Sequence, residues 1–372
     1  MTAMDSFSVR QDLVKRVRLR GYEAPDPAAL GWADAETIVH GTERLHLVAQ
    51  PALVRRVLAD TSLRTFPQMA VLNEMCAHFG LDGAVAEEFF VHSPIFLDGE
   101  SHREARRHFA RMVRRAQDCL RPQLDDLAEA HFEAMSRIAT RTGLATAGVI
   151  AFVDRLLVRV FEDLLPGSEV HYPLLAVHPQ SLFEFVCHPR RLRGTLEGMT
   201  AFMNACCGDA DDRSEARALM GFVLMGRDPL IGALADFLHL WHAQPVAQRS
   251  GWLAEMLPRD VFRRTRPVNL MSRVATGPLE ETGLDVRAGE LVVLMLMARD
   301  REAQVCPGTR DDLAFGHGSH LCVGMPLSVE IAEAWMRGLQ RWEKRIPWQD
   351  LLPEEPVPSV FRRYRGSGAG CR

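Results

Sequence analysis

The sequence predicts a mainly α protein with a small β-sheet region, folded as one domain over residues 1–372. Three observations predict it. Apolar residues recur at helical spacing through most of the chain. One long stretch, residues 221–241 (GFVLMGRDPLIGALADFLHLW), is almost wholly apolar and reads as a helix buried on most sides. One region alone, GLDVRAGELVVLMLMARD, has the form of a hairpin, with two short apolar runs around Ala288-Gly289-Glu290.

In chain order, PALVRRVLADT from Pro51 has a helical stripe, and HREARRHFARMVRRAQ from His102 has one with a strongly basic opposite face. Residues 124–165 continue the helical pattern. The apolar helix at 221–241 contains Gly226 and Pro229, which helix interiors avoid. After the expected hairpin, the chain loops through CPGTRDD into AFGHGSHLCVGMPLSVEIAEAWMRGLQRW, whose second half is a helix ending near Trp342. There is no internal repeat and no low-complexity linker.

A composition of 47% hydrophobic and 25% charged residues is that of a globular protein, and 372 residues suffice to enclose a large cofactor. A net charge of −4 argues against nucleic acid as partner. No uncharged apolar run reaches the roughly 18 to 20 residues that span a bilayer, so no membrane segment is expected. The N-terminal residues MTAMDSFSVRQDLVKRVRLRGYEAPDP lack the apolar core of a signal peptide, so the expected location is the cytoplasm. None of the eight cysteines has C-x-x-C spacing, and most read as buried packing residues. Cys322 differs in its context.

Residues Phe315-Gly316-His317-Gly318-Ser319-His320-Leu321-Cys322-Val323-Gly324 combine three glycines with a cysteine just before a helix. Glycines at 316, 318 and 324 permit positive φ and close backbone approach. Such a loop can pass beneath a flat macrocycle and aim one side chain at its centre. The following helix directs its N-terminal amides toward the sulfur, which stabilises a thiolate. This segment resembles the cysteine loop of the cytochrome P-450 family, F-G-x-G-x-H-x-C-x-G, at every defined position. The resemblance implies heme b as cofactor and Cys322 as the iron ligand, with Phe315, Gly316, His320 and Gly324 around it.

Further segments agree in family order. GESHREARR resembles the start of the family's C helix, which implies that His102 and Arg106, one turn apart, bind heme propionates. Residues 260–268, DVFRRTRPV, resemble the K helix and its exit, with Asp260 in place of the usual Glu and Arg263 three residues on. The resemblance gives that pair a structural role and suggests Arg310 as its third member. Ser272-Arg273-Val274-Ala275 resembles the strand whose arginine reaches a propionate, which makes Arg273 a candidate.

The apolar helix corresponds to the family's I helix, whose signature is (A/G)-G-x-(D/E)-T. Here the residues are Met225-Gly226-Arg227-Asp228-Pro229. Gly226 allows close approach to the cofactor, and Asp228 holds the acidic position. Pro229 replaces the threonine that normally positions a proton-delivering water. Proline lacks the N–H, so the helix should kink or open there and leave a carbonyl that could hold a water. Arg227, Asp228 and Pro229 are therefore the distal catalytic candidates. Arg227 could instead pair with Asp228 or point away. Three chemistries stay open: O2-dependent monooxygenation with a substrate group or water replacing the threonine, direct use of peroxide, and oxygen-independent chemistry on an N–O or O–O bond, a ring closure or a rearrangement. A non-catalytic heme-binding protein is the contrasting class.

By family analogy, residues 66–96, 178–210 and 221–232 form the substrate pocket. Phe66, Met69, Phe79, Phe89, Phe90, Phe96, Phe183, Phe185, Phe202 and Met203 suggest an apolar, partly aromatic pocket for a small organic molecule, of the kind found in natural-product pathways. His188, Arg190 and Arg191 could meet an anionic substrate or form a solvated turn. A ferredoxin-type or flavin-type donor would dock on the basic face of Arg107, Arg111, Arg114 and Arg115. The protein is expected to be a monomer.

Overall fold

The computed structural model describes residues 35–40, 43–60, 62–142, 145–176, 179–183, 187–207, 213–265, 267–296, 313–346, 356–357 and 363–364. Arg310 and Phe185 lie outside them. The elements run β1 (Ala35–His40), β2 (Glu43–Val48), α1 (Pro51–Ala59), β3 (Leu63–Thr65), α2 (Gln68–Phe79) and α3 (Ala84–Phe90). There follow α4 (Gly99–Leu120), α5 (Leu124–Thr142), α6 (Ala145–Leu164), the one-turn α7 (Tyr172–Leu175), α8 (Pro189–Cys207) and α9 (Ser214–Gly221). The last part comprises a π-helical stretch (Phe222–Arg227), α10 (Asp228–His242), α11 (Arg249–Ala254), α12 (Pro258–Thr265), β4 (Leu270–Ala275), β5 (Leu291–Met295), α13 (Met325–Trp342), β6 (Pro356–Val357) and β7 (Arg363–Tyr364). Helix dominates and the sheets are small, as expected.

The main sheet has the order β1-β2-β5-β4-β3, with β2 parallel to β5 and the other neighbours antiparallel. The expected hairpin within residues 283–300 does not form. The antiparallel partner of β5 is β4, which places Arg273 opposite Val292. Local polar chemistry explains why 283–290 is not a strand. Gly283 takes the left-handed conformation after a 3-10 turn, and the Glu290 carboxylate accepts the Arg287 amide at 2.8 Å. Of the first apolar run only Val286 is buried, too little to anchor a strand.

The helical part packs around α6, α10 and α13. Helix α13 lies along α5, and α10 lies against α6 and α12. Ser214–His242 is long and apolar enough to cross a membrane once its few charged residues are tolerated, but 78% of its apolar window is buried inside the protein. That burial is the pattern of a core helix. Glycine permits the closest approaches. A Cβ at Gly198 on α8 would lie 2.1 Å from the carbonyl oxygen of Leu174 on α7. Backbone cannot yield as a side chain can, so Gly198→Ala is expected to destabilise the fold by about 3 kcal/mol, measured by urea unfolding.

His131 on α5 is buried among Phe132, Phe152 and Trp335, and its Nε2 has no partner. Burial, with a smaller contribution from the Arg155 charge, pushes its pKa down to about 3. The unfolded chain takes up this proton near pH 6.5 and the folded one only near pH 3. The stability this neutral imidazole allows is therefore full above pH 6.5 and is lost as pH falls toward 3. Between pH 7.5 and pH 5 the loss is about 2 kcal/mol. In His131→Leu, the difference in unfolding free energy between those two pH values should shrink by about that amount.

Candidate heme site

A cavity of about 340 Å³ separates the π-helical stretch from the cysteine loop. Gly226 and Pro229 border one wall, and Phe315 and Cys322 the opposite one. The loop's conformation follows from its residues. Gly316 (φ 75°) and Gly318 (φ 69°) are left-handed. Gly318 also lies against the end of α1, where a Cβ would come within 3.1 Å of the Leu58 carbonyl. Gly324 departs from the expectation of positive φ: it is at −78°, and a Cβ there would make only an ordinary contact with the sulfur, at 3.8 Å. The Cys322 amide donates to the Phe315 carbonyl at 2.8 Å, closing the loop.

Cys322 is enclosed by protein, yet its side chain is exposed, because it opens onto the cavity rather than packing against a neighbour. Burial pushes its thiol pKa up. The amides of Gly324 and Met325 at the start of α13, together with the Arg106 charge, pull it down. Those amides are the donors expected from the helix N-terminus. No other described cysteine borders this cavity.

At the cavity's edge, His102 and Arg106 from α4 meet Arg273 from β4 and His320 from the loop. The His102 and His320 rings are 4.2 Å apart. Asp98 faces this group, 3.8 Å from His320, but its other oxygen accepts from the Thr65 amide and hydroxyl. Burial pushes His320 down to about 4 and Arg273 down to about 10, and Arg273 and His102 lower His320 further. Burial also lowers His102, followed by the Arg106 charge. His102 Nε2 and Arg273 Nη2 are buried without a partner. Crowded basic groups with orphaned donors match an anionic partner, and the two propionates of a heme are such a partner. A Cβ at Gly226 would meet no protein atom within 4 Å, which leaves room for a flat group across the distal wall. The residues present therefore fit heme b. Cys322 would hold its iron, and His102, Arg106, Arg273 and His320 its carboxylates.

The distal helix departs from its expected arrangement. Residues 222–227 are π-helical, and Pro229 falls in the first turn of α10, which continues directly from them, so its missing N–H deprives the preceding turn of one donor. The Arg227 guanidinium grips Asp154 on α6, with Nε at 2.7 Å from Oδ1 and Nη2 at 3.1 Å from Oδ2. It also donates to the Tyr172 hydroxyl and to Asp228, each at 3.1 Å. Arg227 borders the cavity, but its donors are directed away from it. Asp228 does not line the cavity at all; it is buried beside Arg227. Neither side chain offers a proton donor at the distal wall. The physical reason is the extra residue per turn in a π-helix, which rotates the faces that a 3.6-residue period assigns.

Asp260 and Arg263 on α12 form the expected ion pair at 3.3 Å, and the Asp260 carboxylate also accepts the Leu257 amide. Of the expected pocket residues, Phe66, Phe96 and Phe183 line the cavity, while Phe89, Phe90, Phe202 and Met203 belong to the core. The ring nitrogen of His188 accepts the Arg190 amide, as in a helix-starting turn. Sequence reading passed over Asp98, Asp154, Tyr172 and Gln68. Only Asp98, an aspartate just before a helix, carries a local signal, and that signal is for a cap.

A cysteine that opens onto a cavity also lined by four basic side chains suits a heme held by a thiolate. No family model matches the chain. It is 30% identical over 155 residues to the putative cytochrome P-450 140 of Mycobacterium tuberculosis, covering 37% of this chain and 34% of that one. It is 30% identical over 171 residues to the mycinamicin IV hydroxylase/epoxidase of Micromonospora griseorubida, covering 41% and 43%. The matches thus span less than half the length of these relatives. Among solved structures, a P-450 in complex with an acyl carrier protein bearing hexadec-9Z-enoic acid superposes with a TM-score of 0.66 at 14% identity, over 96% of this chain and 97% of that one. The P-450 of the Bacillus subtilis bacillaene polyketide synthase gives 0.64 at 15%, over 98% and 96%. The chain thus has the fold of the cytochromes P-450 and matches curated cytochromes P-450 over part of its length, relatives whose cofactor is heme b.

Proposed function

We propose that the protein is a heme-thiolate monooxygenase that oxidises a small, largely apolar organic molecule and works without a distal threonine. The observation that carries this reading is the single cavity with Cys322 and Gly226 on opposite walls and four basic side chains at its edge. A bound thiolate-ligated heme supplies electron-transfer and oxygen-transfer chemistry. The chain's own contribution is to orient and to exclude water. Phe66, Phe96 and Phe183 give the substrate side an apolar wall. Pro229 leaves one carbonyl of the preceding turn without its helical amide. A proton needed at that wall would come from a water held by this carbonyl or from a hydroxyl of the substrate. The relative named as a mycinamicin hydroxylase/epoxidase and a solved neighbour that hydroxylates thaxtomin support a natural-product substrate.

Electrons would come from a separate acidic ferredoxin or flavoprotein. Arg107, Arg111, Arg114 and Arg115 are exposed along α4. Arg107 and Arg115 face Glu100 and Glu215, while Arg111 and Arg114 form no ion pair among the described residues. We place the protein in the cytoplasm as a monomer. The direction of Asp228, away from the cavity, favours a second reading in which peroxide is used directly or no oxygen is activated.

Turnover of candidate pathway intermediates separates these readings, run with reductase and O2, with peroxide, and with neither. Product in the first condition alone establishes the monooxygenase. Product with peroxide alone, or with neither, establishes the second reading. No product in any, with a red-shifted Soret band on CO binding to the reduced protein, would point to a non-catalytic heme protein.

A further inference from the structure

The cavity's polar side chains can be assigned one by one. His102, Arg106, Arg273 and His320 form the cationic edge, with Ser272 beside Arg273 on β4. Ser328 sits on α13, beyond Cys322. The donors of Arg227 are directed to Asp154, Tyr172 and Asp228. Among the described lining residues this leaves Gln68, at the first position of α2.

Gln68 is buried, and its amide nitrogen donates to the Leu182 carbonyl at 2.8 Å. That bond fixes which end of the amide is which: Nε2 is occupied, and Oε1 is the end left over. Oε1 has no partner among the described residues and is not sealed among apolar atoms, so it is accessible from the cavity. Phe66, Phe96 and Phe183 line the same cavity, and Phe183 stacks on Phe96 at 5.9 Å with 9° between the planes. An acceptor held still in a mostly apolar pocket selects a guest that brings a donor. The alternative is a buried carbonyl left unsatisfied whenever a guest lacking one displaces water.

Resting on the heme-thiolate reading above, we propose that Gln68 is the specificity-determining residue of the substrate pocket. The substrate class it implies is a planar aromatic or polycyclic molecule carrying one hydroxyl or N–H, donated to Gln68 Oε1 while the ring system packs on Phe66, Phe96 and Phe183.

The test uses the heme-loaded protein and two probes of similar size, 2-naphthol, which can donate, and 2-methoxynaphthalene, which cannot. Binding is read by equilibrium dialysis, which does not depend on the heme spectrum. The wild-type protein should bind 2-naphthol at least about tenfold more tightly. In Gln68→Leu the preference should vanish, with 2-methoxynaphthalene bound as well as before or better. Equal affinities in the wild type, or a preference that survives in Gln68→Leu, overturn the proposal. Should Gln68→Leu fail to fold for want of the Leu182 contact, the wild-type comparison decides alone. The CO spectrum of the same preparation keeps the two readings apart. A thiolate band with equal binding sinks this inference only, whereas a missing band sinks the heme-thiolate reading.

Discussion

Cys322→Ala is expected to abolish the red-shifted Soret band of the reduced, CO-treated protein and to bring product formation down to background. No other described cysteine reaches the cavity, so none can replace the sulfur. The nearest alternative ligand in sequence, His320, lies against the His102 ring, 4.2 Å between centroids, and faces Asp98 at the cavity's edge. The loop should survive, because its shape depends on Gly316, Gly318 and the Cys322 backbone amide rather than on the thiol. Circular dichroism should therefore match the wild type while absorbance changes. Cys322→Ser provides the closer control, since it keeps the side-chain size and replaces only the ligand atom. A red-shifted CO band in either variant would refute Cys322 as the ligand.

Arg227→Ala is expected to be the most destabilising change on the distal helix. The guanidinium faces two carboxylates, Asp154 and Asp228, and the Tyr172 hydroxyl. Its side chain is only 10% exposed, and that of Asp154 29%. Removing the cation leaves two acidic groups close together with reduced access to water, at a cost of about 3 kcal/mol. Those charges hold the guanidinium pKa above its ordinary value despite burial, as a net favourable pairing requires. Urea unfolding measures the loss. Asp154→Asn in the same background should restore part of it, because it removes one of the stranded charges. If Arg227→Ala unfolds at the wild-type midpoint, the network has no role in stability.

The cysteine loop was legible because nearly every residue type in it is forced. Two of its glycines turn the chain through left-handed conformations, as only glycine does without strain. The predominance of helix was equally legible from apolar spacing. Three features were not. The hairpin was misread because a short apolar run identifies a strand but not its partner; β5 pairs with β4, some twenty residues earlier. The direction of Asp228 could not be read from its place in the family signature, because the stretch before it is π-helical. Gln68 went unnoticed because its importance arises from Leu182 and Phe183, more than a hundred residues away. No local pattern records a contact of that kind.

The proline that ends the π-helical stretch also determines what the distal wall can do over time. A π turn migrates along a helix by handing hydrogen bonds from one amide to the next. At Pro229 there is no amide to receive the bond, so the bulge has a fixed boundary on its C-terminal side. Arg227, the last residue of the stretch and two positions before the proline, is clamped to a neighbouring helix and holds the same end. Guests of different shape must then be accommodated by the opposite side of the chamber, where short helices and loops carry the aromatic rings. Variation among related proteins that share this proline should concentrate there, with the ceiling over the metal unchanged.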